Sequence, residues 1–412
     1  MKCVARPSRI TAVILVLAAF GSRLEAEDWA RWRGPSRNGI SAETELRVAW
    51  PASGPPILWK ANVGTGFSSV VVSSGRAFTI GNRENTDTIY CFDAGNGEVV
   101  WQHSYEAALN DNLFEGGPTS TPTVDEDVVF TLSQAGKLFC FDAKTGEVRW
   151  SKNIADEAGA RVPGWGFGGS PVVHDNTLLL AVGESGTAVD KRTGALLWSS
   201  EDKDAGYATP LPFRHNNRWL ALIASGKFFH AVDIATGEER WRYRWLTQFG
   251  CNAADPIIDA DKVFISSGYN RGSALLKLTE TEPEEVWKSK EYQNQFSSSV
   301  LIDGYLYGID GDTTGERLLK CVELATGKIR WSQEGFGSGT LIAAGSRLIV
   351  LSEAGELVLA DASPTAFKQL AKASVLQGKC WTTPTLANGR VYCRNADGDV
   401  VCVDLHAAKE QP

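Results

Sequence analysis

The chain has 412 residues, of which 43% are hydrophobic and 22% are charged, an ordinary composition for a soluble globular protein with ample apolar residues for a core. Its formal net charge is −8 at pH 7 and it contains no run rich in lysine and arginine. A nucleic-acid role is therefore not expected, because phosphate binding needs a concentrated basic face. With 41 glycines, 14 tryptophans and a single methionine, the composition favours many short strands and tight turns over helices.

The first 26 residues have the pattern of an export signal. Three basic residues precede an apolar run from Ile10 to Phe20, which is too short to span a bilayer of ~30 Å. We expect cleavage after Ala26, and an uncleaved membrane anchor is the alternative. No later apolar run is long enough to cross a membrane, so we expect an exported mature chain, periplasmic or extracellular, without a transmembrane segment.

Residues 27–56 form an extension that contains Trp29, Trp32 and Trp50 but no copy of the pattern that follows. Buried tryptophan rings remove a large apolar area from water, which favours packing. We expect the extension to pack on the side of the following domain, and a partner-binding arm is the alternative.

Residues 57–405 are organised as a repeat. Five copies share an acidic residue, a glycine four residues later and a tryptophan eight residues later; they begin at Asp93, Asp142, Asp190, Asp233 and Glu323. Alternating apolar residues on both sides of the glycine predict two strands, and the glycine supplies the positive φ of a tight hairpin. The acid is placed to accept hydrogen bonds from the N–H groups of the turn.

The tryptophans of the repeat recur every 42 to 49 residues on the strand after the turn. They are Trp59, Trp101, Trp150, Trp198, Trp241, Trp287 and Trp331. We expect them to be structural, because a ring of this size fills the wedge between neighbouring sheets.

A second pattern precedes each hairpin, with a small polar residue, often a proline, and two further apolar runs. Each repeat therefore predicts four antiparallel strands in ~40–50 residues, which is one blade of a propeller. The count predicts an all-β, eight-bladed β-propeller, with seven blades as the alternative. We expect the N-terminal strand at Ile57–Lys60 to complete the last blade and remove its open edge, leaving residues 406–412 as a tail.

Two blades depart from the pattern. The fifth has Thr281-Glu282-Pro283 in place of the Thr-Gly turn. The seventh has Pro364 at its turn, and no tryptophan on the outer strand predicted at about residues 367–375.

Cysteines occupy one repeated position at Cys91, Cys140, Cys321 and Cys402, where we expect buried apolar packing. A two-residue turn at Asp397-Gly398 would set Cys393 directly opposite Cys402, a pair that an exported protein can oxidise. Free thiols are the alternative, because cross-strand geometry is often unfavourable for a disulfide.

Residues at the start of each first strand are expected to line the central channel, where a small ligand would bind. Small hydroxyls there, among them Ser68 and Ser297, are ligand candidates, and crowding of eight strands around the axis is the alternative explanation for them. Less ordinary residues are Asn252, Asp255 and Lys379 and the aromatic pair Trp165 and Trp381. We expect Asp255 and Lys379 to form a charged pair near one mouth of the channel.

The Ala-x-Thr-Gly-x-x-x-Trp repeat resembles that of the PQQ-binding-like (quinoprotein) propellers. This family includes secreted planctomycete proteins, the outer-membrane assembly propeller BamB and PQQ-dependent alcohol dehydrogenases, within the wider group of WD40/YVTN-like repeats. Segments that resemble the secreted group include Arg31-Trp32-Arg33-Gly34-Pro35 and Gly378-Lys379-Cys380-Trp381.

The enzymes of this family resemble one another in a vicinal cysteine pair, a calcium site and an aspartate base. This chain has no adjacent cysteines, no Cys-x-x-Cys-His and no Asp-x-Asp-x-Asp-Gly calcium loop, and its five histidines lack metal-ligand spacing. We therefore expect no catalytic residues, no metal and no cofactor, with PQQ and calcium as the alternative.

Taken together, the sequence predicts a monomeric, non-catalytic binding or scaffold propeller of the cell envelope. Its partner would be a protein or a glycan, and the resemblance points to outer-membrane protein assembly. A PQQ-dependent alcohol or sugar dehydrogenase, or a remnant that binds PQQ, is the alternative.

Overall fold

The computed structural model describes Met1 and residues 27–200, 205–279, 281–313 and 315–407. The predicted export signal and most of the predicted tail lie outside the described residues. The described strands form eight sheets with four antiparallel strands each, and one sheet gains a short fifth strand. The prediction of an all-β, eight-bladed propeller is confirmed.

The blades consist of consecutive strands, innermost first. Blade 1 has Val71–Ser73, Arg76–Arg83, Thr86–Asp93 and Val99–Glu106. Blade 2 has Thr123–Asp125, Val128–Leu132, Lys137–Asp142 and Val148–Asn153. Blade 3 has Val172–His174, Thr177–Leu180, Thr187–Asp190 and Leu196–Ser199. Blade 4 has Leu211–His215, Arg218–Ala224, Phe228–Asp233 and Glu239–Arg244.

The second half of the ring follows the same order. Blade 5 has Ile257–Asp259, Lys262–Ser267, Gly272–Lys277 and Glu284–Ser289. Blade 6 has Val300–Ile302, Tyr305–Asp310, Leu318–Glu323 and Ile329–Gln333. Blade 7 has Thr340–Ala344, Arg347–Leu351, Glu356–Asp361 and Lys368–Ser374. Blade 8 has Thr385–Ala387, Arg390–Arg394 and Asp399–Asp404, with Ile57–Asn62 as its outer strand.

Two short helices, Ile154–Glu157 and Gln248–Gly250, lie in connections between blades. No helix in the described part of the chain has the length and apolar character needed to cross a membrane. The core is divided among the seams, since each blade packs both of its faces against its neighbours. In the seam between blades 1 and 2, for example, Phe78, Trp101 and Phe141 share one buried cluster.

The ring closes as the sequence predicted. Ile57–Asn62 pairs antiparallel with Asp399–Asp404, and Trp59 lies opposite Cys402. The strand from the N-terminal side therefore completes blade 8, and neither blade 8 nor blade 1 presents an open seam to solvent.

The structure places the tryptophans of the repeat at the seams between blades. Six of them donate the Nε1 hydrogen to a backbone carbonyl of the next blade at 2.8–3.2 Å: Trp59 to Ala94, Trp101 to Ala143, Trp150 to Lys191, Trp198 to Ile234, Trp287 to Leu324 and Trp331 to Ser363. Trp241 is buried, but its Nε1 has no acceptor among the described residues.

The turn of each repeat explains why glycine and tryptophan recur together. In blade 2, Asp142 Oδ1 accepts the N–H groups of Lys144 and Thr145, both at 2.9 Å. Gly146 has a φ of 75°, and a Cβ there would lie 2.6 Å from the Trp101 ring of the preceding blade. Glycine is therefore required both for the left-handed backbone and for the close approach of the indole.

The predicted register of the two cysteines in blade 8 is wrong. Cys393 lies opposite Val401, while Cys402 lies opposite Tyr392. The hairpin encloses the three residues 396–398, because Asn395 N–H donates to Asp399 O, and the extra turn residue shifts the pairing by one. A shift by one residue turns the two side chains to opposite faces of the blade, and both are buried free thiols.

Residues 29–41 of the N-terminal extension lie in the central channel, whereas the sequence predicted contact with the side of the ring. The later part of the extension does run along blades 7 and 8, where Leu46 bridges His406 and Gly54 approaches Ala373 of an outer strand. The backbone of Trp29 pairs with Val72, and Ile40–Ser41 forms a parallel strand beside Thr340–Ala344 of blade 7. Arg33 and Arg37 donate to the carbonyls of Ser299 and Val173 at 2.6 and 2.8 Å. The innermost strands are sheet edges with unpaired backbone groups, and the extension satisfies those groups.

Candidate functional site

A cavity of about 430 Å³ opens at the end of the channel where the first strands begin. The segments that connect each outer strand to the next inner strand converge there, and their residues form the walls. The N-terminal extension forms the floor through Trp32, so the channel becomes a closed-bottom pocket. We call this cavity the cup.

One wall of the cup is a row of packed aromatic rings. Trp381 lies 4.8 Å from Phe296 and 6.0 Å from Phe67, measured between ring centroids. Phe67 lies 5.6 Å from Phe114. These four residues come from four different connections between blades, so the wall exists only when the ring is closed.

The facing wall is built in the same way. Trp165 lies 5.7 Å from Tyr207 and meets Phe249 edge to face at 6.3 Å. Phe249 in turn meets Tyr269 edge to face at 5.5 Å. Tilted and edge-to-face contacts hold the rings in fixed orientations, so both walls are preorganised.

Two residues of the rim combine large apolar side chains with a left-handed backbone. Phe249 has a φ of 64° and is 65% exposed, and Leu113 has a φ of 68° and is 87% exposed. Such a backbone conformation costs about 1–3 kcal/mol for residues other than glycine, and it is concentrated at ligand-binding sites. The rim therefore presents strained apolar groups to solvent at the entrance of the cup.

The floor is a hydrogen-bonded pair. Trp32 Nε1 donates to Asp255 Oδ2 at 2.5 Å, and Thr209 N–H donates to Asp255 Oδ1 at 2.8 Å. The surrounding protein excludes water and raises the pKa of the Asp255 carboxyl, while the Arg33 guanidinium and the two N–H donors act in the opposite direction. Burial also lowers the pKa of Arg33.

Only a space of about 10 Å³ lies below this pair, among Arg31, Arg33 and Arg37 of the extension. That volume is at the limit for a single water molecule. Trp32 and Asp255 therefore seal the cup from the rest of the channel.

Several polar atoms in the walls lack a partner. Among the described residues, none forms a hydrogen bond with Thr119 Oγ1, Thr382 Oγ1 or Gln295 Oε1. All three residues line the cup, and Thr382 and Gln295 are at least nine-tenths buried. Because all three residues line the cup, these atoms are available to form hydrogen bonds with a ligand that enters it.

Three of the residues singled out in the sequence meet at the cup: Asp255 in the floor and Trp165 and Trp381 in facing walls. The predicted pair of Asp255 with Lys379 does not form. Lys379 pairs with Glu115 at 2.5 Å, and its Nζ lies 4.2 Å from the centroid of the Trp381 ring. Asp255 is already bonded to Trp32 and to the backbone of Thr209.

The other three candidates do not line the cup. Asn252 is buried and donates to the carbonyls of Ser225 and Trp245 at 2.8 and 3.0 Å, which ties the connection between blades 4 and 5 to a hairpin of blade 4. The carbonyl of Ser68 accepts a hydrogen bond from Arg394 at 2.7 Å. Ser297 is buried and does not line the cup.

Sequence reasoning missed Trp32, Phe249 and Leu113. The aromatic residue in each connection between blades was a usable signal. The left-handed backbone of Phe249 and Leu113 and the path of the extension depend on contacts between distant segments, which no local pattern records.

A hydroxyl, an imidazole and a carboxylate lie in series outside the cup. Ser225 Oγ is 3.1 Å from His230 Nε2, and His230 Nδ1 is 2.6 Å from Glu239 Oε2. Ser225 is fully buried and its oxygen also accepts the N–H groups of Lys227 and Phe228. A substrate has no access to this oxygen, so the series is structural.

The residues of the cup do not fit a quinone held with calcium. Calcium takes six to eight oxygen ligands, mostly carboxylates and carbonyls. The cup offers one carboxylate, Asp255, whose two oxygens are occupied by N–H donors. No group of three or more His, Cys, Asp or Glu side chains in the described part of the chain is placed to hold a metal ion. Burial raises the pKa of Cys251, the thiol of the cup, to about 12, so it is not a thiolate nucleophile.

A family model described as outer membrane protein assembly factor BamB matches residues 85–333 and 315–411. The chain belongs to this family. Membership agrees with the repeat and with the eight-bladed fold.

Solved structures agree with the fold of this BamB-family chain. BamB from Moraxella catarrhalis superposes with a TM-score of 0.61 at 18% identity, covering 86% of this chain and 99% of that one. Quinohemoprotein alcohol dehydrogenase from Comamonas testosteroni superposes with a TM-score of 0.65 at 13% identity, covering 93% and 81%. At these identities the likeness shows the fold alone.

A curated relative is the tetrathionate hydrolase of Acidithiobacillus ferrooxidans, 26% identical over 246 residues. The match covers 56% of this chain but only 46% of the hydrolase. The chain thus spans about half the length of this relative.

Proposed function

We propose that this chain is a non-catalytic binding propeller of the cell envelope, which takes part of a protein or glycan partner into the cup. The observation that carries the proposal is the cup itself. It is preorganised by two aromatic walls, sealed by Trp32 and Asp255, and lined by buried polar atoms without partners.

The rim supports binding rather than a purely structural role. Phe249 and Leu113 are exposed and held in a strained backbone conformation, an arrangement that packing inside the monomer does not explain. Exposed apolar groups around a cavity are typical of recognition surfaces, because a partner that covers them gains the burial of their area.

Outer-membrane protein assembly is the form of this proposal that the comparisons favour. Both the matched family model and a solved structure of similar fold carry the name BamB. Deletion of the gene should then lower the level of folded outer-membrane proteins. Unchanged levels would leave a binding propeller with another task.

Quinone-dependent oxidation is the competing function, since dehydrogenases share the fold. The donor set of the cup argues against it. Purified protein mixed with PQQ and calcium should show no shift in the quinone absorbance and no reduction of an electron-accepting dye with alcohols or sugars. Dye reduction that depends on both additions would overturn the non-catalytic proposal.

The direct test fills the cup. Ala253 lines the cup and is partly exposed to it, so Ala253→Trp places a second large ring in the cavity. Ala366→Trp is the matched control, since Ala366 is exposed in the turn of blade 7 and lines none of the cup. Ligands or partners retained from an envelope extract by the unmodified protein and by the control should be lost with Ala253→Trp. Equal retention by all three proteins would refute binding at the cup.

A further inference from the structure

We infer that the cup binds the terminal ring of an uncharged sugar chain, with the ring between the two aromatic walls and its hydroxyls on the polar atoms around the floor. The inference rests on the proposed function, because it names the ligand class of the same cavity. It follows from three properties of the lining: ring faces, unpaired polar atoms and charge.

The walls provide two aromatic surfaces. Trp381 and Phe296 belong to one wall, and Trp165 and Tyr207 to the other. Aromatic faces carry a partial negative charge, so the slightly positive C–H groups on the face of a sugar ring pack well against them. The volume of about 430 Å³ is within the usual range of ~300–1,000 Å³ for small-ligand sites.

The unpaired polar atoms distinguish a sugar ring from a hydrocarbon ring. Thr119 Oγ1, Thr382 Oγ1 and Gln295 Oε1 come from three different connections between blades, so they reach the ligand from several directions. A phenyl side chain in the same place would exclude water and leave these atoms unsatisfied, which weakens binding about tenfold or more for each. A ring with hydroxyls along its edge satisfies all three.

The charges favour an uncharged ligand. The single carboxylate of the floor, Asp255, interacts with the Arg33 guanidinium behind it. At the rim, Lys379 and Glu115 neutralise each other at 2.5 Å. An anionic ligand would face Asp255, and a cationic ligand would approach the arginines of the extension, so neither sign of charge finds a dedicated partner.

The rim extends the site outward. Phe249 contacts Trp165 inside the cup and is 65% exposed outside it. An aromatic ring in this position is a second stacking surface for the sugar next to the terminal one. The site therefore fits the end of a chain better than a free monosaccharide.

The experiment measures binding of defined probes by calorimetry and saturation-transfer NMR. The probes are methyl glycosides and disaccharides of neutral hexoses and N-acetylhexosamines, glucuronic acid, glucosamine and N-acetylphenylalaninamide. At least one neutral sugar should bind with a dissociation constant on the order of 1 mM or tighter, and its disaccharide more tightly. The acid, the amine and the aromatic amide should bind at least about tenfold more weakly.

Variants test the contacts. Thr382→Val should raise the dissociation constant of the neutral sugar about tenfold, which is the effect of one lost hydrogen bond. Thr131→Val is the matched control, because Thr131 is equally buried and unpartnered but lies in blade 2 away from the cup, and it should bind normally. Phe249→Ala should weaken binding of the disaccharide more than binding of the monosaccharide, because it removes the outer stacking surface as well as one contact that orients Trp165.

The outcomes separate this inference from the proposed function. The aromatic amide could bind more tightly than every neutral sugar, with Ala253→Trp abolishing that binding. This result would refute a sugar ligand but would support a cup that binds a protein side chain. Binding of a neutral sugar that Ala253→Trp and Thr382→Val leave unchanged would overturn the assignment to the cup. If none of the probes binds, the inference that the cup holds a sugar ring is also refuted.

Discussion

The seam that closes the ring, between blades 8 and 1, contrasts with the seam between blades 7 and 8. At the closing seam Trp59 donates to Ala94 O and packs against Gly97 of the next turn. At the other seam Ala371 occupies the register position of the tryptophan, opposite Leu359. The seam between blades 7 and 8 thus forms without this tryptophan bond, and its polar contacts lie where Trp381 Nε1 donates to Glu353 and Thr340 Oγ1 donates to Thr382 O. The seam that joins the two ends of the propeller has additional polar contacts.

Arg394 provides four of those polar contacts. It is fully buried in blade 8 and donates to the carbonyls of Ser68, Ile80 and Gly64 and to Thr79 Oγ1, at 2.6–3.1 Å. All four acceptors belong to blade 1 or the segment that leads into it. A buried guanidinium with only neutral acceptors is costly, and the Nε of Arg394 has no acceptor among the described residues, so the four bonds that do form specify how the ring closes.

The largest expected effect is therefore from Arg394→Met, which removes this contact and keeps most of the volume. The carbonyls left without donors should lower the free energy of unfolding by about 3–5 kcal/mol. Urea titration followed by circular dichroism measures the change. Arg214→Met is the control, since Arg214 is exposed and its replacement should change stability by less than about 0.5 kcal/mol. A loss for Arg394→Met as small as that of the control would show that packing alone closes the ring.

A second comparison separates the hydrogen bond of the seam tryptophans from their packing. Trp101 is 8% exposed and donates to Ala143 O at 3.1 Å, while Trp241 is 5% exposed and its Nε1 has no acceptor among the described residues. Both are similarly buried, so replacement by phenylalanine removes a similar ring area from each. Trp101→Phe should cost about 1 kcal/mol more than Trp241→Phe, because only the first removes a hydrogen bond, while the Arg76 guanidinium still donates to Ala143 O. Equal losses in thermal unfolding would assign the role of the tryptophan to packing.

Replacement of the glycine in the repeat turn should destabilise the fold for two reasons, backbone strain and a clash with the tryptophan ring. A matched pair of glycines can separate the two. Gly146 and Gly75 have nearly the same φ, 75° and 74°. A Cβ at Gly146 would meet the Trp101 ring, while a Cβ at Gly75 would meet nothing within 4 Å. Gly75→Ala should therefore cost about 1 kcal/mol from backbone strain alone, and Gly146→Ala about 1–3 kcal/mol more from the displaced indole. If Gly146→Ala lowers the free energy of unfolding no more than Gly75→Ala does, the Trp101 ring can move aside at little cost.

The features of the fold and of the cup differ in how far they could be predicted from the sequence. The blades, their number and the closing strand followed from the spacing of Gly and Trp, because each copy repeats the same local chemistry. The register of Cys393 failed because one extra turn residue is invisible to alternation. At the site, Asp255, Trp165 and Trp381 were found as unusual residues at channel positions. Trp32 was not, since nothing local indicates that the extension enters the channel.

The smallest expected effect concerns the acid of the turn, which again differs between blades. In blade 2, Asp142 accepts turn N–H groups and pairs with Arg149 at 2.7 Å. In blade 7, Asp361 instead pairs with Arg347 and Lys368.

The Arg149 guanidinium and the N–H groups of the turn lower the pKa of Asp142 below its ordinary value. A carboxyl group whose pKa is lower in the folded than in the unfolded protein stabilises the fold at pH values above the unfolded-state pKa of ~3.9. This stabilisation is lost as the pH falls from ~3.9 toward the lower pKa of the folded state. Asp142→Asn should then cost no more than about 1 kcal/mol at pH 7, since the pair is partly exposed, and the difference from the unmodified protein should shrink between pH 5 and pH 3. Urea titrations at both pH values measure it, and a difference that grows with acid would show that the carboxylate is not the stabilising form.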